Sequence, residues 1–414
     1  MSSWCRERAA GARLRAATMA IAALAAPAAA EELSFDTSVL GRFEYNDNVP
    51  LSVVPQAAWR FQLAPDLTLS RRAENGKMSF SAGAAANRYT VSSLNTNDYH
   101  LALRLSRQLE VDEVTLDAQY RRESTLGTQL SQTGVNAGRT QVGNLIVAPQ
   151  WKHAIDEQWS TTVGASYAAS NYAQTAGSNL VDYRNAGGSV GLRYAATERI
   201  GLDLNVAYSS YDTDPFTTRS ESWSASAALT WLVNEQLTVN LNIGAQRVRT
   251  VESRQFSLCP APLVLCVLGL VAPVQASATA QSVSTTVPYG LSLVWQIDEV
   301  QVLSLGASRD VTPSGVGTLV SSDRFSASYT RALAPNVSAS LVAAYSASDS
   351  LDGVSLGRFY SLTPTVEWTL DEAWKLTAGY AYSNTRFGEG PAQAHSNAVF
   401  ATATYAWPLW TAHH

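Results

Sequence analysis

The residues with the most chemistry to offer are two serines set between glycines, Gly187-Gly188-Ser189-Val190-Gly191 and Gly353-Val354-Ser355-Leu356-Gly357. Such a pattern raises a nucleophilic serine only where a strand turns sharply into a helix. The first copy lies inside a stretch that alternates like a β-strand, and the second lies in a loop. Both therefore read as chance matches. The histidines are His100, His153, His395, His413 and His414, and no two have metal-ligand spacing on one strand face. Asn46-Asp47-Asn48 and Asp212-Thr213-Asp214 carry oxygen donors for a cation, yet turn chemistry explains them as well. No enzyme, no metal site and no cofactor is expected. Cys259 and Cys266, with six residues between them, have the spacing of a small disulfide loop in an oxidising compartment. Two unpaired thiols in an apolar loop are the alternative.

Composition decides what kind of elements carry these residues. The chain has 414 residues, of which 15% are charged and 46% hydrophobic. Soluble domains usually carry about 25% charge. Mean hydropathy is only -0.06, so Ser, Thr, Asn and Gln dilute the apolar residues. Trp 11, Tyr 17 and Phe 10 exclude a disordered chain. Beyond the N-terminal segment no apolar run reaches the ~18 residues of a spanning helix. Net charge -5 argues against a nucleic-acid partner. What remains is a β-protein that meets lipid.

Residues 1–30 read as an export signal. Arg6, Arg8, Arg13 and Arg15 form a basic region, Ala16 to Ala26 an apolar one, and Ala28-Ala29-Ala30 a small-residue cleavage site before Glu31. Residues 31–414 then form one domain.

Within it, apolar residues recur at every second position, the signature of half-buried strands. Examples are Trp59, Phe61 and Leu63, then Leu202, Leu204, Val206 and Tyr208, then Leu237, Val239, Leu241 and Ile243. Eighteen such segments are predicted: 33–45, 58–73, 77–90, 99–111, 114–123, 141–154, 158–170, 183–196, 199–211, 220–233, 236–250, 282–296, 300–311, 322–333, 337–348, 358–370, 373–384 and 396–407. Tight turns such as Asn75-Gly76, Asp156-Glu157, Asn234-Glu235 and Asp371-Glu372 alternate with long loops. This predicts an all-β fold, a transmembrane antiparallel up-and-down β-barrel of about 18 strands, with 16 as the alternative. Trp151, Trp159, Trp231, Trp295, Trp368, Trp374 and Trp407 sit near the tight turns or the C-terminus. Tyr45, Tyr99, Tyr120, Tyr167, Tyr208, Tyr345, Tyr360 and Tyr382 sit near the long loops. Two aromatic belts at opposite strand ends are what two membrane interfaces require.

The other face of the strands is small and polar, so the lumen is expected to hold water. Arg42, Arg60, Arg104, Arg121 and Arg193 are the predicted lumen-lining cations, against Glu44, Asp117, Asp203 and Glu367. They make either a solvated wall with incidental ion pairs or a constriction that sorts solutes by charge. Loop 251–281, with its apolar run from Leu258 to Val271, is the outlier. An apolar loop should not stay exposed. It would plug the mouth, meet a partner or lipid, or simply pack.

Two patches carry a family resemblance. Phe43-Glu44-Tyr45-Asn46-Asp47-Asn48-Val49 resembles the "E-Y-D-D-N" signature of an outer-membrane β-barrel family described as beta-barrel porin 2-like. Ser308-Arg309-Asp310-Val311-Thr312-Pro313-Ser314-Gly315-Val316-Gly317-Thr318-Leu319 resembles its "S-R-x-x-x-P-S-G-x-G-x-L" loop. The strand Ala327-Ser328-Tyr329-Thr330-Arg331-Ala332-Leu333 that follows resembles its "A-x-Y-x-R-x-L". The resemblance implies an outer-membrane location in a Gram-negative cell and an association with exopolysaccharide export. Expected partners are outer-membrane lipid, the barrel-insertion machinery, polysaccharide and periplasmic export proteins. Loop 251–281 and the non-aromatic C-terminus depart from the pattern. The expected function is a passive channel, with a structural or adhesive barrel as the alternative.

Overall fold

Period-two alternation gives each strand one apolar and one polar face. The computed structural model describes residues 32–125, 140–173, 180–214, 218–259, 274–388, 390–407 and 410–413. The predicted export signal, Cys266, and most of the apolar run after Leu258 lie outside them. One antiparallel sheet contains twenty strands. The first half is β1 (Glu32–Asn46), β2 (Ala58–Ala73), β3 (Gly76–Tyr89), β4 (Thr96–Gln108), β5 (Asp112–Ser124), β6 (Gln141–Ala154), β7 (Trp159–Tyr172), β8 (Asp182–Thr197), β9 (Ile200–Asp214) and β10 (Thr218–Leu232). The second half is β11 (Leu237–Leu258), β12 (Val274–Thr286), β13 (Tyr289–Asp298), β14 (Gln301–Pro313), β15 (Leu319–Ala334), β16 (Val337–Ser350), β17 (Ser355–Thr369), β18 (Trp374–Phe387), β19 (Gln393–Ala406) and β20 (Trp410–His413).

These strands fill eighteen wall positions of a closed barrel. β12 and β13 share one position, since both pair with β11, the first with its upper part and the second with its lower part. β19 and β20 share another along β1. The first interruption falls at Pro288, which has no N–H to give to a ladder. β1 pairs with β2 on one side and with β19 and β20 on the other, so the sheet has no free first strand. Closure leaves no unpaired strand edge, the condition for crossing a bilayer with strands.

The tight turns are built by their first residue. The carboxylates of Asp156 and Asp371 and the amide oxygen of Asn234 each accept the backbone N–H groups two and three positions on. This local bonding reverses the chain in a few residues.

Register sorts the faces as alternation requires. Phe43, Phe61, Leu204, Ile243 and Val399 are large, apolar and more than half exposed. They point out, where only lipid makes such exposure tolerable. The seven tryptophans of the tight-turn belt are all exposed as well. The sorting of Trp is less complete than expected, because Trp59 and Trp223 are exposed at the long-loop end. Buried residues gather at that same end and face inward: Val142, Tyr211, Val248, Val320, Ser322 and Ser348.

The stretch 251–281 corrects the predicted loop. β11 and β12 stay paired as far as Leu258 and Val274, so a β-hairpin rises beyond the neighbouring strands and the true connection is 259–273. Alternation missed it for a physical reason. Val274–Thr286 has almost no large apolar side chains, so alternation marks only its end, inside the predicted 282–296.

The Asn46-Asp47-Asn48 cluster seals the barrel seam and is not built as a cation site. Asn48 Nδ2 donates to the carbonyls of Ser52 and His395, both at 2.9 Å. Asp47 accepts the Asn397 N–H and Nδ2–H, and Asn46 Oδ1 accepts from Ser396 Oγ. Asn48 is 3% exposed, so Asn48→Ala leaves two carbonyls unpaired. We expect about 1–3 kcal/mol of destabilisation, read as a lower urea midpoint of the refolded barrel.

Candidate functional site

Period two places every candidate of the lumen on the inward face, and cross-strand pairing tells which of them meet. Arg42 and Glu44 are two residues apart on β1, and Arg60 stands opposite Glu44 on β2. Both guanidiniums converge on Glu44 Oε2, at 2.5 and 2.7 Å. Two cations against one carboxylate leave this cluster positive. Arg42 also lies 3.8 Å from the centre of the inward Phe400 ring, a cation–π contact. Arg104 donates to Asp117 at 2.6 Å across β4 and β5. Arg193 and Asp203 are 3.9 Å apart. Glu367 takes Lys375 at 3.0 Å, a partner that no local pattern marks. Arg121 stands opposite His100 and Asn144 and has no carboxylate within 4.0 Å among the described residues.

Two further pairs belong to this wall. Asp310 and Arg324 meet at 3.0 Å. Asp66 on β2 reaches His100 Nε2 on β4 at 2.8 Å, across β3. The pair crosses at Gly83, where a Cβ would collide with the His100 ring and lie 2.6 Å from Asp66 Oδ2. Only glycine leaves that space. Charges thus crowd onto β1–β5. From β10 to β18 the spanning wall holds Asn240, Asn242, Ser292, Ser361 and Thr363, with the two neutral pairs Asp310–Arg324 and Glu367–Lys375. A cavity of about 860 Å³ opens along this neutral wall, with the Phe359 ring among its lining.

At the tight-turn rim Asp112 accepts from His153 Nδ1 and Trp151 Nε1, both at 2.9 Å. The bond with His153, more than that with the indole, holds the Asp112 carboxyl below its ordinary pKa.

The mouth at the long-loop end is packed. Tyr211 donates its hydroxyl to the carbonyl of Ser314 at 3.1 Å, and the Val181 N–H donates to Gly315 at 2.8 Å. Val181 precedes β8 and Gly315 follows β14, five wall positions away. At ~4.8 Å per strand that is about 24 Å of wall, so these bonds are made across the mouth rather than along the sheet. Gly317 has φ +89° and sits over Val181, a conformation that favours glycine. Tyr211, Val248 and Leu319 form a buried cluster that Tyr183, Val311 and Leu351 complete. Ser284 of β12 donates to the carbonyl of Leu351, so the tall hairpin leans on the same cluster. The motif at 308–319 therefore supplies the crossing loop.

Cys259 takes part in a disulfide at the foot of the hairpin tip, and its predicted partner lies outside the described residues. Ser189 sits mid-strand in β8, without the helix that a nucleophile elbow needs. Among the described residues no three His, Cys, Asp or Glu side chains gather as a metal site.

No protein-family model matches the chain, and no curated protein matches it in sequence. The chain is similar in structure to OccAB4 of Acinetobacter baumannii, at 8% identity and a TM-score of 0.46, covering 91% of this chain and 98% of that one. It is similar to the outer membrane protein OpdK of Pseudomonas aeruginosa, at 10% identity and 0.45, covering 91% and 99%. A ferric enterobactin receptor of Pseudomonas aeruginosa gives 10% and 0.49, covering 92% and 81%. Values this low say nothing of what enters the lumen.

Proposed function

We propose that the chain is a passive outer-membrane channel of porin type, exported by residues 1–30 and inserted by the barrel-insertion machinery. The observation that carries this is the lumen wall. An eighteen-position barrel is wide enough for an aqueous channel. Its inward face holds small polar residues and ion pairs rather than the large apolar groups of a dry core. Transport through it is diffusive, since nothing in the wall needs nucleotide. The finer reading, an exit for exopolysaccharide passed on by periplasmic export proteins, rests on the family resemblance. The amides and hydroxyls of the β10–β18 wall support a neutral, hydroxyl-rich solute, because such groups bond to hydroxyls without demanding charge.

The test is single-channel conductance of refolded residues 31–414 in a planar bilayer, with and without reductant. Openings interrupted by closures of the packed mouth are expected, and Arg121→Gln should lower anion preference because that cation has no carboxylate within 4.0 Å among the described residues. Silence in both states from a folded barrel would overturn the open-pore reading. It would favour a structural or adhesive barrel, which the packed mouth at Tyr211 supports.

A further inference from the structure

The outward face carries a charge pattern that conduction does not use. Beyond the apolar band, the long-loop ends of the strands present Arg88, Arg122, Arg184, Arg247, Arg358 and Arg386 on the lipid side. The tight turns at the other end are acidic, with Glu157, Glu198, Glu235, Glu299 and Glu372. Two of the arginines share a built recess. Arg88 stands opposite the exposed Phe61, and Arg122 opposite Tyr99, so both are outward. They line one cavity of about 810 Å³ with Tyr99, Asn97, Gln141 and Leu94. No carboxylate lines it, and neither guanidinium has an ion-pair partner among the described residues. Arg122 lies over the Tyr99 ring, 5.8 Å from its centre. Arg88 Nη1 donates to the carbonyls of Asn87 and Thr96, which fixes the side chain and leaves its Nε and Nη2 donors for a ligand. Below the recess, Phe61, Leu101 and Tyr120 are exposed on the same outward face.

Two uncompensated guanidiniums directly above an apolar wall match a headgroup with an anionic, multi-oxygen end and acyl chains beneath it. Guanidinium pairs bidentately with phosphate. We infer that the Arg88–Arg122 recess binds the phosphate of a phosphorylated lipid in the leaflet that surrounds the long loops. This rests on the barrel's being membrane-spanning, not on its conducting. Lipid retention and conductance are separate readouts, so a silent barrel that keeps the lipid fails only the channel reading.

The experiment is native mass spectrometry of the refolded chain released from detergent, with phosphatidic acid or phosphatidylcholine as the probe lipid. Phosphatidic acid should be retained and phosphatidylcholine lost. Arg88→Gln with Arg122→Gln should lower retention about tenfold or more, the worth of one or two charge-assisted bonds. Arg88→Lys with Arg122→Lys should lower it less, and it keeps the test available should the Gln pair fail to fold. Arg331→Gln, an outward arginine at the tight-turn end, should leave retention unchanged. Equal loss in Arg331→Gln, or unchanged retention in the Gln pair, overturns the site. Displacement of the lipid by millimolar inorganic phosphate overturns the lipid as its ligand.

Discussion

Tyr211→Ala is expected to open the mouth. The side chain is 1% exposed, and its hydroxyl ties down the loop that crosses from β14 to β15. Removing a large buried aromatic costs about 3 kcal/mol or more, the hydrogen bond included. If the crossing loop is what holds the channel shut, that cost falls on the closed state. At 1.4 kcal/mol per decade, the open-to-closed ratio then rises about 10²-fold. Val248 and Leu319 lose their shared partner, so the loop and the leaning hairpin are released together. Single-channel recording reads this directly: closures that are long in the parent chain become brief, and the mean current rises several-fold. Tyr211→Phe separates the two contributions. It keeps the ring and loses only the bond to Ser314, so its effect should be a few-fold. Equal records from all three chains would show that the mouth is packed without gating.

The same residue shows where reading the sequence stops. Strand positions were legible because each strand solves one local problem, an apolar face to lipid and a polar face to water. That is why 141–154 comes out as β6 to the residue, and why Arg42, Arg60, Arg104, Asp117, Arg121, Arg193, Asp203 and Glu367 all fall on the strand face opposite the exposed large apolar side chains. Pairings between adjacent strands were half legible, as with Arg104 and Asp117 flanking one tight turn. Contacts that skip strands were not. Asp66 meets His100 only because Gly83 vacates the space between them, and its one sequence signal is a glycine in a strand. Tyr211 meets Ser314 only because the barrel closes and a loop folds across it, a distance of 103 residues with no period to mark it. The two family-like patches were visible as motifs, but their work was not. One ties the seam at β19, and the other spans the mouth.

Ile243→Arg set against Asn242→Arg is the sharpest check on the orientation of the whole wall. The two positions are neighbours on β11, share every local feature of the chain, and differ only in face. Ile243 stands mid-strand on the outward face and is 62% exposed. Asn242 stands on the inward face opposite Gly290 and lines the lumen cavity. In a bilayer, an arginine on the lipid face near the midplane costs about 2–4 kcal/mol, while lumen positions tolerate charge and tune selectivity. Ile243→Arg should therefore refold poorly into vesicles, with the folded-to-unfolded ratio at a fixed urea concentration down by about one and a half to three orders of magnitude. Asn242→Arg should refold within about 1 kcal/mol of the parent and change ion preference instead. A water-facing barrel predicts the reverse. There, an exposed isoleucine gains nothing from its surroundings, arginine at 243 is neutral or favourable, and the inward substitution is the one that costs. Heat-modifiable gel migration of the two refolded variants, compared side by side, decides between a wall that faces lipid and one that faces water.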